Sequence, residues 1–543
     1  MECPEVASEH PELPLEHPEV VSERPELSLG CPEVALECPE TPSPYPEVVS
    51  PCPEVVFHYP ETASHYPETL SHYPETSSHY PETASPYPEV ASHRPETAFA
   101  VGLPTFGAMS EMTGLQVYKF GGASVKDAAA ILNLCRIVRD FGPQGPLVIV
   151  VSAMGKTTNA LEEIYDLAYK QQRYEEPLQT LEAFHQQAAA ELNLTPELPI
   201  GWYFNKLLLQ LRQRLAKVKA TDDYDEYYDQ VVSFGEMLAS QLVAHALGAR
   251  SFNSQQLIAT DTTWREARVN WPKTEANIRY SFTQLLLEGP VVTQGFLGGT
   301  GYGVPTIQDP SKTIYKERTT TLGREGSDYT AAILAYCLRA ESVTIWKDVA
   351  GLLNADPKIF PDTVRYPEIS YRETIEMAYY GASVIHPKTL KPLADRNIPL
   401  RVKSFLDPAA EGTIIHDCQH PALAPAFIRK TDQCLLSFAS KDFSFISEEN
   451  MAVIFAALAQ AKLKINVMQN SAISFSVCVD FSQRRVHQLL DLLREQFLLH
   501  YNTGLLLFTI KNYTSDSIAQ LTAGKRLLLE QRTRGTFQFV CAA

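Results

Sequence analysis

The chain has 543 residues, 46 basic against 64 acidic side chains and a formal net charge of −18. Nineteen of the acids but only two basic residues, Arg24 and Arg94, lie in the first hundred residues, a net of −17, so the remainder is nearly neutral. That balance gives no charge argument for nucleic acid or membrane binding by the folded part.

From Cys3 to about Ala100 the chain repeats a seven-residue unit, seen as "HYPETAS", "HYPETLS" and "HYPETSS". A proline at one fixed place in every unit removes a donor and clashes with the preceding turn, so the heptad period does not mean a coiled coil. Residues 1–110 are expected to form an extended, disordered Pro/Glu tail. The regularity fits an expanded coding repeat, or translated sequence upstream of a start at Met109 or Met112, more closely than a spacer or protein-binding tail. Deletion of residues 1–108 is expected to leave folding and activity intact. No run of eighteen apolar residues and no basic region followed by an apolar core is found, so neither a membrane span nor a secretory leader is expected. Four of the ten cysteines lie in the tail, and the six others form no Cys-x-x-Cys pair, which suits reduced thiols and a cytoplasmic setting.

Beyond the tail, short apolar runs alternate with amphipathic helices, the pattern of a mostly parallel sheet with helices on both faces. "LQVYKF" and "PLVIVVSAM" read as buried strands and "AAAILNLCRIVRDF" as the helix between them. A polar, mostly helical stretch follows from about Asn159 to Leu247. Strands resume at "GPVVTQGFLG" and "SVTIWKDV", with an aperiodic exposed loop at Val304–Arg318 between them. After about Pro425 the order becomes βαββαβ, a ferredoxin-like unit. A shorter strand, helix and hairpin complete the chain.

The polar residues that interrupt this pattern gather at strand ends. In "YKFGGASV", Gly121 and Gly122 let backbone approach a ligand, Lys119 supplies a compact cation, and Ser124 follows; polyphosphate suits such a turn. The spacing is not that of a Walker A loop, and "GGTGYG" at residues 298–303 lacks the helix a dinucleotide site needs. "VSAMGKTTNAL" puts Ser152, Lys156, Thr157 and Thr158 at the carboxyl edge of the sheet, with Thr158 or Asn159 as the plain helix cap. "SFGE" at residues 233–236 has the form of a capping box, and Glu236 in a cleft would pair with a substrate ammonium. "TTLGREGSDYTAA" opens a small-residue helix that Ser327 or Asp328 can cap. Arg324 in it suits bidentate carboxylate capture, and Gly326 and Ser327 suit a phosphate at a helix N-terminus. "WKDVAGLLNADPK" adds Lys347, Asp348 and, after an Asp356-Pro357 turn, Lys358. A second capping box is read at Ser370 and Glu373, and His386 before Pro387 is read as structural.

Seven of these blocks, "KFGGASV", "VSAMGKTTNAL", "SFGE", "VTQGFLG", "TTLGREGSDYTAA", "WKDVAGLLNADPK" and "YYGASVIHPKTL", resemble, in order, those of the aspartokinase family. The resemblance implies an α/β amino-acid-kinase-like three-layer sandwich over residues 114–424, followed over 425–543 by paired ferredoxin-like ACT units. It implies transfer of the ATP γ-phosphate, with Mg2+, to the side-chain carboxylate of L-aspartate, giving 4-phospho-L-aspartate, the first step towards lysine, threonine and methionine. Lys119 and Asp328 would be catalytic; Ser152, Thr158, Glu236 and Arg324 would bind aspartate. Lys119, Gly121, Gly122, Ser124, Gly326, Ser327, Lys347, Asp348 and Lys358 would hold nucleotide or phosphate, and no protein-held metal is implied. Asn466, Met468, Gln469 and Asn470 in "INVMQNSAISFSV" would bind an effector such as lysine or threonine, and the ACT units would pair chains into a homodimer or larger assembly. Glu325 stands where many relatives have glycine, Ser383 where lysine is common, and "KDFSFISEEN" lacks the usual effector-loop glycines. The alternatives are a kinase of glutamate, acetylglutamate, carbamate or UMP, and a non-catalytic amino-acid sensor. A fusion to homoserine dehydrogenase does not fit the length.

Overall fold

The computed structural model describes residues 113–301, 318–382, 385–419, 423–442 and 444–542. The repeat tail, Ser383 and all of the 304–318 loop but Arg318 lie outside the described residues.

One eight-stranded sheet organises the first part. Its strands are β1 (Gln116–Phe120), β2 (Leu147–Val151), β3 (Arg250–Phe252) and β4 (Val291–Gln294), while β5 (Leu297–Thr300) and β6 (Arg318–Thr321) form a separate antiparallel hairpin. The sheet continues with β7 (Ser342–Lys347), β8 (Glu368–Ser370), β9 (Leu400–Ser404) and β10 (Thr413–His416). The order is β3-β4-β2-β1-β7-β9-β10-β8, parallel throughout except between β9 and β10.

Period-two alternation splits the apolar residues of the inner strands between two cores. Tyr118, Phe120, Leu147, Ile149 and Val151 face the helices Ala128–Phe141 and Phe234–Leu247. Val117, Val148, Val150, Val343 and Ile345 face the helix Gly326–Leu338. Lys119, two residues after Val117, and Lys347, two after Ile345, therefore point to that second face. Parallel pairing of β1 with β7 puts Lys119 opposite Ile345, so the two lysines sit side by side at the carboxyl rim.

The helix Ala128–Phe141 falls where its periodicity places it, and Asp127 caps it by accepting from the Ala130 N–H at 2.8 Å. The polar stretch folds as helices 157–169, 175–191, 199–215, 224–232 and 234–247. "GPVVTQGFLG", expected as one strand, is broken at Gly295-Phe296. Phe296 has φ +71°, and its N–H bonds to Thr330 Oγ1 at 2.9 Å. A Cβ on Gly295 would lie 2.5 Å from Ser327 Cβ, so this break lets the strand end pass against the helix start.

The last part is a six-stranded antiparallel sheet of β11 (Ala426–Ser440), β12 (Ile465–Asn470), β13 (Ser474–Asp480), β14 (Phe497–Lys511), β15 (Leu527–Arg532) and β16 (Thr536–Ala542). Its order is β12-β13-β11-β14-β16-β15. The long central pair, β11 and β14, begins well before the predicted "CLLSFAS" and "GLLLFTIKN", and register shifts near Gln433 divide it into two halves. One half packs on helices 448–460 and 483–493, completing the expected βαββαβ order; the other packs on helix 515–522. Val467, Cys478, Leu505, Leu507, Leu529 and Val540 form a third cluster between the halves.

Candidate active site

Lys119 Nζ lies 2.5 Å from Asp328 Oδ1, and Lys347 Nζ 3.5 Å from Asp328 Oδ2; Lys119 and Asp328 are nearly sealed from solvent. Burial alone would raise the Asp328 carboxyl, but the two ammonium groups overcome it and hold the group below its usual range. Two cations around one anion leave a positive excess at the end of two adjacent strands and the start of a helix, a setting that favours an incoming polyanion.

The helix Gly326–Leu338 starts differently from the expectation. Glu325, in left-handed geometry at φ +55°, takes the N-cap place, and no side chain caps the helix. Ser327 and Asp328 lie inside the first turn, so the Asp328 carboxylate is released from capping and meets the lysines. A glycine at 325 would adopt that φ without strain. One Glu325 carboxylate oxygen is buried and has no hydrogen-bond partner among the described residues, within electrostatic reach of His386. His386 itself accepts from the Lys388 N–H at 3.1 Å and caps the helix Pro387–Asp395, the structural part read for it.

"SFGE" is not a capping box. Ser233 has helical torsions, and its hydroxyl donates to Gln230 O at 3.3 Å, because the helix 224–232 runs almost directly into the next. Glu236 is freed to turn towards the rim: its Oε1 accepts from the Ala153 N–H at 3.2 Å, and its Oε2 is buried without a partner among the described residues. Burial pushes this carboxyl up to about 8, against the lowering by the Ala153 N–H and by the charge on Lys119. Gly235 makes the approach possible, since a Cβ there would stand 2.8 Å from that of Ala153. A Cβ on Gly122 would likewise lie 2.9 Å from the carbonyls of Ala153 and Gly155, so the ends of β1 and β2 close on each other through this glycine. The helix Thr157–Tyr169 has no side-chain cap; neither Thr158 nor Asn159 supplies one. Ser152 and Thr158 are half-buried at this rim.

Other expected site residues stand apart from the buried cluster. The Ser124 hydroxyl donates to Trp346 O at 3.3 Å, tying the first turn to β7. Arg324, Asp348 and Lys358 are exposed, and the Lys358 N–H is bound in the Asp356 turn at 2.9 Å. Ser370 does cap its helix through the Glu373 N–H at 3.2 Å, but the Glu373 carboxylate turns to Asn512 and Lys511 instead of closing the box. Asn466 is engaged by Lys430, Gln433 and Asp480, while Met468, Gln469 and Asn470 are exposed on the edge strand β12. A cavity of about 460 Å³ bordered by Tyr203, Met237, Asn253 and Gln294 contains none of the predicted site residues.

The sequence profile of the amino acid kinase family matches residues 114–404. Lysine-sensitive aspartokinase 3 of Escherichia coli is 32% identical over 380 residues, covering 68% of this chain and 79% of that protein. Chloroplastic aspartokinase 1 of Arabidopsis thaliana is 30% identical over 399 residues, 69% of this chain and 66% of that one. The crystal structure of E. coli aspartokinase III with aspartate and ADP superposes with a TM-score of 0.67 at 26% identity, covering 79% of this chain and 96% of that one. The chain belongs to the aspartokinases. It is thus an ATP-dependent kinase with the α/β amino-acid-kinase fold.

Two supports of this aspartokinase site carry no sequence signal of their own. Asp229, buried on helix 224–232, accepts from the Thr321 N–H at 2.9 Å and the Thr321 hydroxyl at 2.7 Å, anchoring the strand that leads into "LGREGSD". Thr330 donates to Gly326 O at 3.0 Å while receiving the Phe296 N–H, locking the strand break to the helix start. Both residues sit in unremarkable local patterns, and only long-range contact reveals their part.

Proposed function

We propose that residues 114–424 transfer the γ-phosphoryl group of MgATP to the side-chain carboxylate of L-aspartate, giving 4-phospho-L-aspartate, and that residues 425–543 regulate this step. The observation that carries the reading is the buried Lys119–Asp328–Lys347 cluster at a strand rim, beside an orphaned Glu236 oxygen. The E. coli relative, solved with aspartate and ADP, supports the substrate pair.

In this reading Lys119 and the N-terminus of helix Gly326–Leu338 meet the transferring phosphoryl group, with Gly121, Gly122 and Ser327 close to it. Asp328, ionised between them, holds both lysines in place. The substrate ammonium satisfies Glu236 Oε2 and converts that carboxyl to its charged form; Arg324 takes the α-carboxylate, and Ser152 and Thr158 line the acceptor. A carboxylate oxygen of aspartate attacks phosphorus as the bond to ADP breaks, with no proton to move. Catalysis is then alignment plus charge neutralisation.

Both Asp328 oxygens face lysines, so a magnesium ion fits best on the nucleotide phosphates, with exposed Asp348 as a protein carboxylate for it. When bound, the ion neutralises phosphate charge. Lys358 serves the outer nucleotide. The exposed edge of β12, with Met468, Gln469 and Asn470 beside Asn466, is the effector surface and the seam between paired chains. Lysine is the first effector to test, since the E. coli enzyme was also solved with lysine and aspartate.

The test is a panel of acceptors with ATP and magnesium, trapping acyl phosphate with hydroxylamine. Aspartate alone should give hydroxamate. Product from glutamate but not aspartate would redirect the assignment to another amino acid kinase, and no turnover with any acceptor would favour the sensor.

A further inference from the structure

The far edge of the catalytic sheet carries a second group of chemistry-bearing side chains that the kinase reaction does not use. Glu368 opens edge strand β8, His416 ends its neighbour β10, and Cys418 follows two residues later. The strands are parallel with Ser370 opposite His416, so Glu368 lies one diagonal step from the imidazole. A bend at Asp417 turns the chain between His416 and Cys418 just past the end of β10. His416 Nε2 stands 3.1 Å from Glu368 Oε2, and the donor atoms of all three residues lie within 4.8 Å of one another.

We propose that Glu368, His416 and Cys418 form a binding site for a divalent cation of the zinc class. A thiolate, an imidazole and a carboxylate together are the donor set of a borderline-soft ion, not of magnesium or calcium, which take oxygen ligands. In a tetrahedral zinc site donor atoms stand about 3.5 Å apart, so a closure of about 1 Å brings these three to bonding distance. Glu368 is exposed and His416 and Cys418 half-exposed, which leaves a fourth position open to water or a further ligand.

The location gives the ion something to do. Cys418 lies on the segment leading from β10 to β11, and β8 runs directly into helix Tyr371–Tyr380. That helix supplies Glu373 and Glu376 to Lys511 of β14. An ion here clips the connecting segment to the edge strand and braces the helix on which the regulatory sheet rests.

The experiment uses the full-length chain, stripped with chelator and titrated with Co2+, then Zn2+, without nucleotide. Because the tail also contains cysteines and histidines, the readout is the difference between wild type and variants. Wild type should show one more equivalent of thiolate-to-cobalt charge-transfer absorption than Cys418→Ser, displaced by Zn2+. His416→Ala and Glu368→Gln should weaken binding by more than the tenfold to about hundredfold that outer-shell changes cost. Zn2+ should raise the Tm of wild type more than that of any of the three. Glu368→Gln, an exposed and nearly isosteric change, keeps the test valid should Cys418→Ser fold poorly. Identical cobalt spectra in wild type and Cys418→Ser, or undiminished affinity in both His416→Ala and Glu368→Gln, would overturn the site.

Discussion

At the scale of single residues, one carboxyl is held ionised and another is kept largely protonated within the same rim. Asp328 is buried but flanked by two ammonium groups; Glu236 is buried with one amide donor and an unfilled oxygen. A carboxyl whose folded pKa is raised costs no stability below its ordinary pKa and its full cost above the folded value, so for Glu236 the cost grows between about 4.5 and about 8. Glu236→Gln should therefore raise the Tm of the ligand-free protein at pH above about 8 and leave it unchanged at acid pH, where the wild-type carboxyl is already neutral. The same change should raise KM for aspartate by about tenfold to a hundredfold, the worth of a hydrogen bond to a charged group. An unchanged KM would remove Glu236 from the substrate. The identities of Lys119, Glu236, Asp328 and Lys347 were legible because each interrupts an apolar run at a strand or helix end. Their states were not: whether a carboxyl is paired or orphaned depends on neighbours more than eighty residues away, as Ala153 is from Glu236.

At the scale of elements, strands and helices with strong periodicity were readable, and helix ends were not. Helix Ala128–Phe141 follows its sequence pattern to the residue, whereas "SFGE", "GSD" and "KTTN" all look like caps and none acts as one. A capping motif describes what a side chain can do locally, and a rim that binds ligands takes the same serines, threonines and acids for another task. Gly235 tests the close contact this requires. Gly235→Ala would drive a methyl into Ala153 and Thr157, so the helix bearing Glu236 must shift. The expected result is a stability loss of about 1–3 kcal/mol from overpacking and a fall in kcat/KM of up to about a hundredfold from misplacement near 1 Å. Chemical denaturation and steady-state kinetics on one preparation would separate the two effects. The lengths of β11 and β14 escaped the sequence because the polar runs "RKTDQ" and "LHYNT" cross the point where one half of the sheet hands over to the other.

At the scale of the whole molecule, the C-terminal antiparallel sheet is joined to the kinase part through a few specific contacts. The Phe427 N–H donates to Asn354 O at 2.7 Å, Tyr366 Oη to Ala424 O at 2.7 Å, and Ala426 and Ile428 bury into the second catalytic core. Lys511, nearly buried at the end of β14, lies 2.5 Å from Glu376 Oε2 and 3.8 Å from Glu373 Oε2. Lys511→Met takes the ammonium from both acids, leaving Glu376 with exposed Arg372 at 3.4 Å and Glu373 with the Asn512 amide. The cost should be about 1–3 kcal/mol, below that of a fully enclosed pair because Glu373 and Glu376 are 23% and 33% exposed. Calorimetry should show the transition of the C-terminal sheet moving away from that of the kinase part, and an unchanged single transition would mean that the apolar contacts alone join the parts. The overall plan, a parallel α/β sheet followed by an antiparallel βαββαβ region, was visible in the order of apolar runs. The hydrogen bonds that couple the two were not, since they join residues that are ordinary in their own segments.

In the proposed reaction the lysine pair around Asp328 acts on the phosphoryl group, and turnover of a folded Lys119→Ala variant measures this most directly. With saturating ATP, magnesium and aspartate, hydroxamate formation should fall about 10²- to 10³-fold in kcat, while circular dichroism keeps the wild-type helix content. Near wild-type kcat in that variant would contradict the central claim.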